Sequence, residues 1–230
     1  MITEVKGQSL GDVESASRSF FDDWAKKYGF RRLTRWFRYT QRLAIGSLQL
    51  RPDSRVLDIG CGTGYATWQL ASLVPEGSAF GVDISLEMIR RACRQVPKDL
   101  AQRTHFSQAT VTRLPFVANV FTHALCTNSF HHYPKPVETL KEIKRVLVPG
   151  GQLAILENAR ELSMYVRAWD VLLKLVEKGH AGYHSSQELG QIIEKAGLDN
   201  AELCLLKKGF FFRYNKVFAS IQLWRSNKPK

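Results

Sequence analysis

Five residues, Gly60-Cys61-Gly62-Thr63-Gly64, stand directly behind the apolar run Val56-Leu57-Asp58-Ile59. Alternating glycines let a backbone turn tightly and approach a ligand with no side chain in the way. A helix opening at Tyr65 would aim its unpaired N–H groups at the same place. Asp83 closes the next apolar run, Gly81-Val82-Asp83. A carboxylate at that strand tip can accept both hydroxyls of a ribose, although an acid there can also simply cap a helix. Asp58 can hold an ammonium group or order the turn. Gly64 is followed by Tyr65-Ala66-Thr67, so the lysine of a phosphate-binding loop is missing. The glycine spacing also departs from the GxGxxG of dinucleotide sites. The arrangement points to a nucleoside.

His131 and His132 titrate near neutral pH, which makes His131 the candidate general base; the alternative is a structural histidine. Adjacent side chains on a turn diverge, so the two are not expected to act together. His180, Tyr183 and His184 form a second cluster, either closing over a substrate or lying in an exposed loop. Cys61, Cys93, Cys126 and Cys204 contain no CxxC pair. No metal site is expected, and burial as free thiols is.

These residues need a scaffold, and the hydrophobic periodicity supplies one. Strands are predicted at Arg55–Ile59, Ala79–Ile84, Thr104–Gln108, Val120–Thr127 and Gln152–Leu156. Helices are predicted at Tyr65–Val74, Leu86–Gln95, Val137–Leu147, Val166–Leu175 and Ser185–Ala196. Pro149-Gly150-Gly151 should end the third of these helices. Ser185 or Ser186 should cap the last, with Gly197 beyond its end. The β–α alternation implies a doubly wound, mostly parallel sheet with helices on both faces. Two strands, Glu202–Leu206 and Tyr214–Ile221, should flank a turn near Lys208-Gly209. A basic tail should fray from Arg225. In such sheets the ligand crevice lies at the carboxyl ends of the strands, so Asn128, Ser129 and Phe130 are candidates for its edge.

Ahead of Pro52, residues 1–50 read as a helical cap on a 51–230 Rossmann-like domain, after a loose tail at 1–11. Phe20, Phe21, Trp24 and Tyr28 share one helical face that Gly29 ends. A second segment carries Trp36, Phe37 and Tyr39 among Arg31, Arg32, Arg35, Arg38 and Arg42. Those aromatics are either a lid over a substrate or the buried face of a docked helix. The chain has 230 residues, 44% of them hydrophobic, and a net charge of +12. It can therefore bury a full core, and it favours anionic partners or simply carries a solvated basic face. No run long enough to span a membrane and no export signal are seen, so a cytoplasmic location, with possible peripheral contact to anionic membrane, is expected.

Taken together, Asp58–Gly64, Asp83, Leu114-Pro115-Phe116 and Leu140–Gly151 resemble the class I S-adenosylmethionine-dependent methyltransferases, over about residues 15–200. The likeness is greatest to the small-molecule group that includes the ubiquinone and menaquinone C-methyltransferases. It implies a seven-stranded sheet with an antiparallel last strand, S-adenosyl-L-methionine as cofactor and S-adenosyl-L-homocysteine as product. It also implies roles: Asp58, Gly60, Cys61, Gly62, Thr63 and Gly64 around the methionine part, Asp83 on the ribose, Ile84 and Met88 beside the adenine. The family's adenine-binding acid is replaced by Thr110, leaving the backbone of Val111 to share that task. Its fourth-strand acid is replaced by Thr122 or His123. The implied acceptor is small and lipophilic or aromatic. An RNA or protein methyltransferase using the basic surface is the rival reading, though Asn128-Ser129-Phe130-His131 lacks the prolines of amino-methylating DNA enzymes. A silent cofactor-binding protein is a third reading, and a nicotinamide-dependent oxidoreductase is disfavoured by the glycine spacing.

Overall fold

The computed structural model describes residues 10–27, 31–162, 164–176, 180–212 and 215–229. The strands are β1 (Arg55–Ile59), β2 (Ser78–Asp83), β3 (Thr104–Gln108), β4 (Phe121–Thr127), β5 (Leu147–Asn158), β6 (Asp199–Phe212) and β7 (Asn215–Asn227). The helices are α1 (Leu10–Lys27), α2 (Arg31–Gly46), α3 (Tyr65–Leu73), α4 (Leu86–Gln95), α5 (Pro136–Val146), α6 (Met164–Val176) and α7 (Ser186–Lys195). One sheet of order β3-β2-β1-β4-β5-β7-β6 contains all seven strands. β1 to β5 pair in parallel, and β7 runs antiparallel to both β5 and β6. The strand order reverses at β1, with β2 on one side and β4 on the other, which opens a crevice at their carboxyl ends.

The two-residue period of the strands divides the core between the two faces of the sheet. Leu57, Ile59, Ala124, Cys126, Leu153 and Ile155 point to the face covered by Leu140 and Ile143 of α5 and Leu189 and Ile193 of α7. Val56, Leu125, Ala154 and Leu156 point the other way, onto Ala66, Leu70 and Ala71 of α3. Ala44 and Ile45 of α2 and Leu48 just after it pack on that same layer. The carboxyl-terminal half of α2 is thus one of the sheet's covering helices. Its aromatic amino-terminal half is left over the crevice.

Ser185 caps α7, accepting a hydrogen bond from the backbone of Glu188 while the Glu188 side chain accepts one from the backbone of Ser185. Ser185→Ala is expected to lower stability by about 1 kcal/mol. A urea-denaturation midpoint unchanged from the parent would refute that.

The fold corrects several expectations. No turn occurs at Lys208-Gly209: β6 runs through both, pairing them with Ala219 and Phe218 of β7. Its register is set by β7, which buries Leu223 and Trp224 against β5 and so carries the hairpin beyond the sheet. The tail does not fray at Arg225, because Arg225, Ser226 and Asn227 pair with Ala154, Leu153 and Gln152. Beyond them the Lys228 ammonium donates to Leu147 O at 2.9 Å. Pro149-Gly150-Gly151 lies within β5, where Gly150 takes φ +75° and absorbs a register shift against β4. Cys61 and Cys126 are buried, but Cys93 on the outer side of α4 and Cys204 on the edge strand are exposed. Residues 1–9, Tyr28, Gly29, Arg213, Tyr214 and Lys230 lie outside the described residues, as do the side chains of Arg31 and Arg32.

Candidate active site

The glycine turn is built as its spacing requires. The N–H groups of Gly60 and Cys61 donate to Val82 O at 2.9 and 3.0 Å, which ties the turn to β2. Gly60 has φ +68°, and a Cβ there would sit 2.6 Å from Ser129 Cβ, so only glycine fits. Gly62 has φ +52° and faces open space. Asp83 spans the gap: one carboxylate oxygen accepts from Gly62 N and the other from Ser85 N, both at 2.9 Å. Burial raises this carboxyl to about 6.

One cavity of about 910 Å³ opens here. It is lined by Gly60, Cys61, Gly62, Thr63, Asp83, Ile84, Met88, Thr110, Val111, Asn128, Ser129 and His131. Several residues put forward from the sequence do not line it. Asp58 is 1% exposed and accepts a 2.6 Å bond from the Thr67 hydroxyl, fixing α3 to the end of β1. Burial raises its carboxyl to about 7. Gly64 (φ +81°) packs the start of α3 on Phe106, 2.6 Å from where its Cβ would lie. Phe130 is also absent from the lining, being fully buried in the core. His123 lies at the opposite end of β4, bonded to Gln49 O and Thr122, away from the crevice.

Helix α1 brings in residues the sequence reading missed. The Glu14 carboxylate accepts from the hydroxyls of Thr110 (2.6 Å) and Thr112 (3.2 Å), and all three residues line the cavity. Thr110 is where the resemblance calls for an acid, and α1 delivers a carboxylate to it from 96 positions away. Asp22 accepts from the Ser85 hydroxyl and from Glu87 N, docking α1 on the start of α4. No local signal in the sequence could have shown this, since both contacts depend on how α1 packs.

The rest of the wall is aromatic. Phe21, Trp24, Trp36 and Phe37 line the cavity. Trp24 meets Phe21 and Phe37 edge-on at 6.1 and 6.4 Å. Both aromatic segments therefore face the cavity, not only the interior. Asn128 (φ +52°) donates to the Thr40 hydroxyl at 2.9 Å, joining β4 to α2.

Beside this wall stands His131. Its Nδ1 lies 2.8 Å from Glu157 Oε2, while Glu157 Oε1 accepts from Phe130 N at 2.8 Å. Glu157 is the penultimate residue of β5 and is 2% exposed; burial raises its carboxyl to about 7. Burial, then the neighbouring His180, holds His131 well below the usual histidine range. A carboxylate on Nδ1 fixes the ring and leaves Nε2 for chemistry. Most of the loop 180–184 is packed, although Ala181 is exposed: His180 and Tyr183 are buried, and the N–H groups of Ala181 and Gly182 donate to His131 O. His180 Nε2 lies 2.7 Å from the buried Asp170.

The open side of Gly62 and the buried Asp83 carboxylate beside it fit an adenosyl group with no phosphates. Residues 56–151 match the family described as Methyltransferase domain. The chain has the fold of the class I S-adenosylmethionine-dependent methyltransferases and is related to them in sequence. A demethylmenaquinone methyltransferase of Bacillus cereus is 26% identical to it over 218 residues, covering 86% of this chain and 90% of that one. The same fold occurs in a methyltransferase solved with the Trm112 activator of Haloferax volcanii, at TM-score 0.75 and 22% identity, covering 91% and 98% of the two chains. It recurs in a possible histamine N-methyltransferase of Thermotoga maritima, at TM-score 0.70 and 21% identity, covering 92% and 99%. The cofactor of the methyltransferase is S-adenosylmethionine.

Proposed function

We propose that the methyltransferase transfers its methyl group to a small lipophilic or aromatic acceptor and that His131 takes up the acceptor's proton. One observation carries this reading: a single cavity joins the glycine turn and Asp83 to the wall of Phe21, Trp24, Trp36 and Phe37, with His131 in its lining. The name of the Bacillus relative, a demethylmenaquinone methyltransferase, fits an apolar ring as acceptor.

The bound cofactor supplies an electrophilic methyl group on a sulfonium with a good neutral leaving group, so the protein's main task is alignment. Asp83 accepts the ribose hydroxyls, and Ile84 and Met88 flank the adenine. Thr110 and the backbone of Val111 meet the adenine edge, with Glu14 supplying the missing negative charge. Gly60, Cys61, Gly62 and Thr63 bring backbone to the methionine part, and Asn128 and Ser129 border the reacting end. Asp58 and Gly64 act one step back, by holding α3 in place. His131, with Nδ1 on Glu157, presents Nε2 to the acceptor. Radiolabelled cofactor tests the whole reading: label should pass into an organic-extractable aromatic acceptor, whereas label in RNA or protein would favour the rival use of the basic surface.

Glu14→Ala is expected to weaken S-adenosylmethionine binding about tenfold, the scale of one hydrogen bond to a charged group. Calorimetry reads this directly, and an unchanged affinity would remove α1 from the nucleoside site.

The lipophilic acceptor is reached from an anionic membrane surface in this proposal, with the protein otherwise cytoplasmic. Arg35, Arg38 and Arg42 are exposed along α2, and Val171 and Leu172 on α6 are 60% and 45% exposed. Among the described residues no helix is long and apolar enough to cross a membrane. Co-sedimentation with anionic vesicles should occur at low salt and fade as salt is added. No sedimentation at low salt would discard the membrane contact.

A further inference from the structure

We propose that His131, His132 and His180 form a three-histidine site for a divalent first-row metal ion, zinc in the first instance, beside the acceptor end of the cavity. One ring nitrogen of each lies within 4.8 Å of the others. The rings are close neighbours, with centroids 4.0 Å apart for His131 and His132, 5.2 Å for His131 and His180, and 5.9 Å for His132 and His180. A tetrahedral zinc ion with nitrogen ligands at about 2.0–2.1 Å needs those atoms about 3.3 Å apart. An ion would therefore have to draw these nitrogens together by up to about 1.5 Å.

Two features mark this as more than a chance grouping of histidines. First, two of the rings are already backed by buried carboxylates: His131 Nδ1 by Glu157 at 2.8 Å and His180 Nε2 by Asp170 at 2.7 Å. Metal-bound imidazoles almost always place their second nitrogen on such a partner, which sets the tautomer and strengthens the ligand. With those nitrogens engaged, Nε2 of His131 and Nδ1 of His180 are the ones left for an ion. Second, His180 Nδ1 is buried and has no hydrogen-bond partner among the described residues. A buried polar atom without a partner is uncommon, and an ion is one thing that satisfies it. Asp170 is itself fixed by Tyr183 N at 2.8 Å and by the Lys174 ammonium at 2.9 Å. His132 is half-buried and lines the cavity, so the third ligand borders the space an acceptor would fill.

The inference rests on reading this end of the cavity as the acceptor's. Three protein ligands leave a fourth position, which suits an oxygen donor such as a hydroxyl, enol or carboxylate. A proton and a metal ion compete for the same His131 nitrogen, so the metal-free chain is the form in which His131 takes up the acceptor's proton, and zinc loading should suppress that step.

The test uses the full chain with its exposed thiols, Cys93 and Cys204, alkylated. Zinc is titrated by calorimetry and cobalt(II) by visible absorption, and S-adenosylmethionine affinity is measured in parallel. One ion per chain and a tetrahedral cobalt spectrum are expected. His180→Ala and His132→Ala should each weaken binding by more than about 100-fold, and Asp170→Asn by about 10- to 100-fold. His105→Ala, exposed on the edge strand β3, should leave it unchanged. Should His180→Ala fail to fold, the half-exposed His132→Ala decides. Absence of stoichiometric binding overturns the site, and so does binding that survives His132→Ala. If cofactor affinity is normal in that case, the metal proposal fails while the methyl-transfer reading stands; loss of cofactor binding in the parent protein would sink the latter instead.

Discussion

Asp83→Asn is expected to weaken S-adenosylmethionine binding by about 100-fold or more. The parent carboxylate offers two acceptor oxygens to a ribose diol, and each hydrogen bond to a charged group is worth about 1.5–3 kcal/mol. Asparagine keeps the shape but has one acceptor oxygen and no charge. It also cannot accept from both Gly62 N and Ser85 N, as the parent does, so the glycine turn loosens as well. Two pH trends follow from the raised carboxyl of Asp83. Cofactor affinity of the parent should fall as pH drops through about 6, where this group protonates. Fold stability runs the opposite way. The folded value lies above the ordinary 3.8, so this group's contribution is complete below the ordinary value and is lost as pH rises through about 6. The parent should therefore lose stability relative to Asp83→Asn between pH 4 and pH 8. Calorimetry and urea denaturation across that range check both trends. A variant that binds the cofactor as tightly as the parent would exclude Asp83 from ribose recognition.

His131→Ala is expected to lower kcat by about 10²- to 10⁴-fold, the usual span for a general base. Cofactor affinity should stay within about twofold, because the ring stands among the acceptor-side groups and not on Asp83 or the glycine turn. Burial keeps His131 neutral through the physiological range, so a fall in the parent's saturating rate as pH drops from 8 should follow Glu157, which protonates near 7, and not a histidine titration. Glu157→Gln should share part of the loss. The parent carboxylate accepts from Phe130 N with one oxygen and faces His131 Nδ1 with the other. Glutamine has a single acceptor, so one buried N–H is left unpaired at a cost of about 1–3 kcal/mol. Single-turnover kinetics separate the chemical step from binding. A change in kcat below about fivefold in His131→Ala would mean that the acceptor reacts without giving up a proton to this ring.

The glycine turn and strand-tip acid proposed to hold the nucleoside were legible along the chain because they are local. Gly60–Gly64 and Asp83 are consecutive parts of one β-α-β unit, and glycine at a left-handed turn and an acid at a strand tip are demands of backbone geometry that only a few residue types meet. The order of strands and helices was legible for a similar reason: a two-residue or 3.6-residue period shows which face is buried, whatever lies opposite. The same logic failed at the hairpin of β6 and β7, where Lys208-Gly209 has turn composition but pairing with β5 decides the register. It failed again at Asp58, whose neighbours in sequence suggest a ligand while its burial against Thr67 makes it a brace. Only the folded chain could bring Glu14 to Thr110, Glu157 to His131, or His180 within reach of His131 and His132. Those partners come from separate elements, and a side-chain contact across such distances depends on packing angles that no local pattern records. What the order of residues determined is therefore the turn and carboxylate proposed to cradle the cofactor, and what tertiary packing decided is the wall of the cavity proposed to take the acceptor.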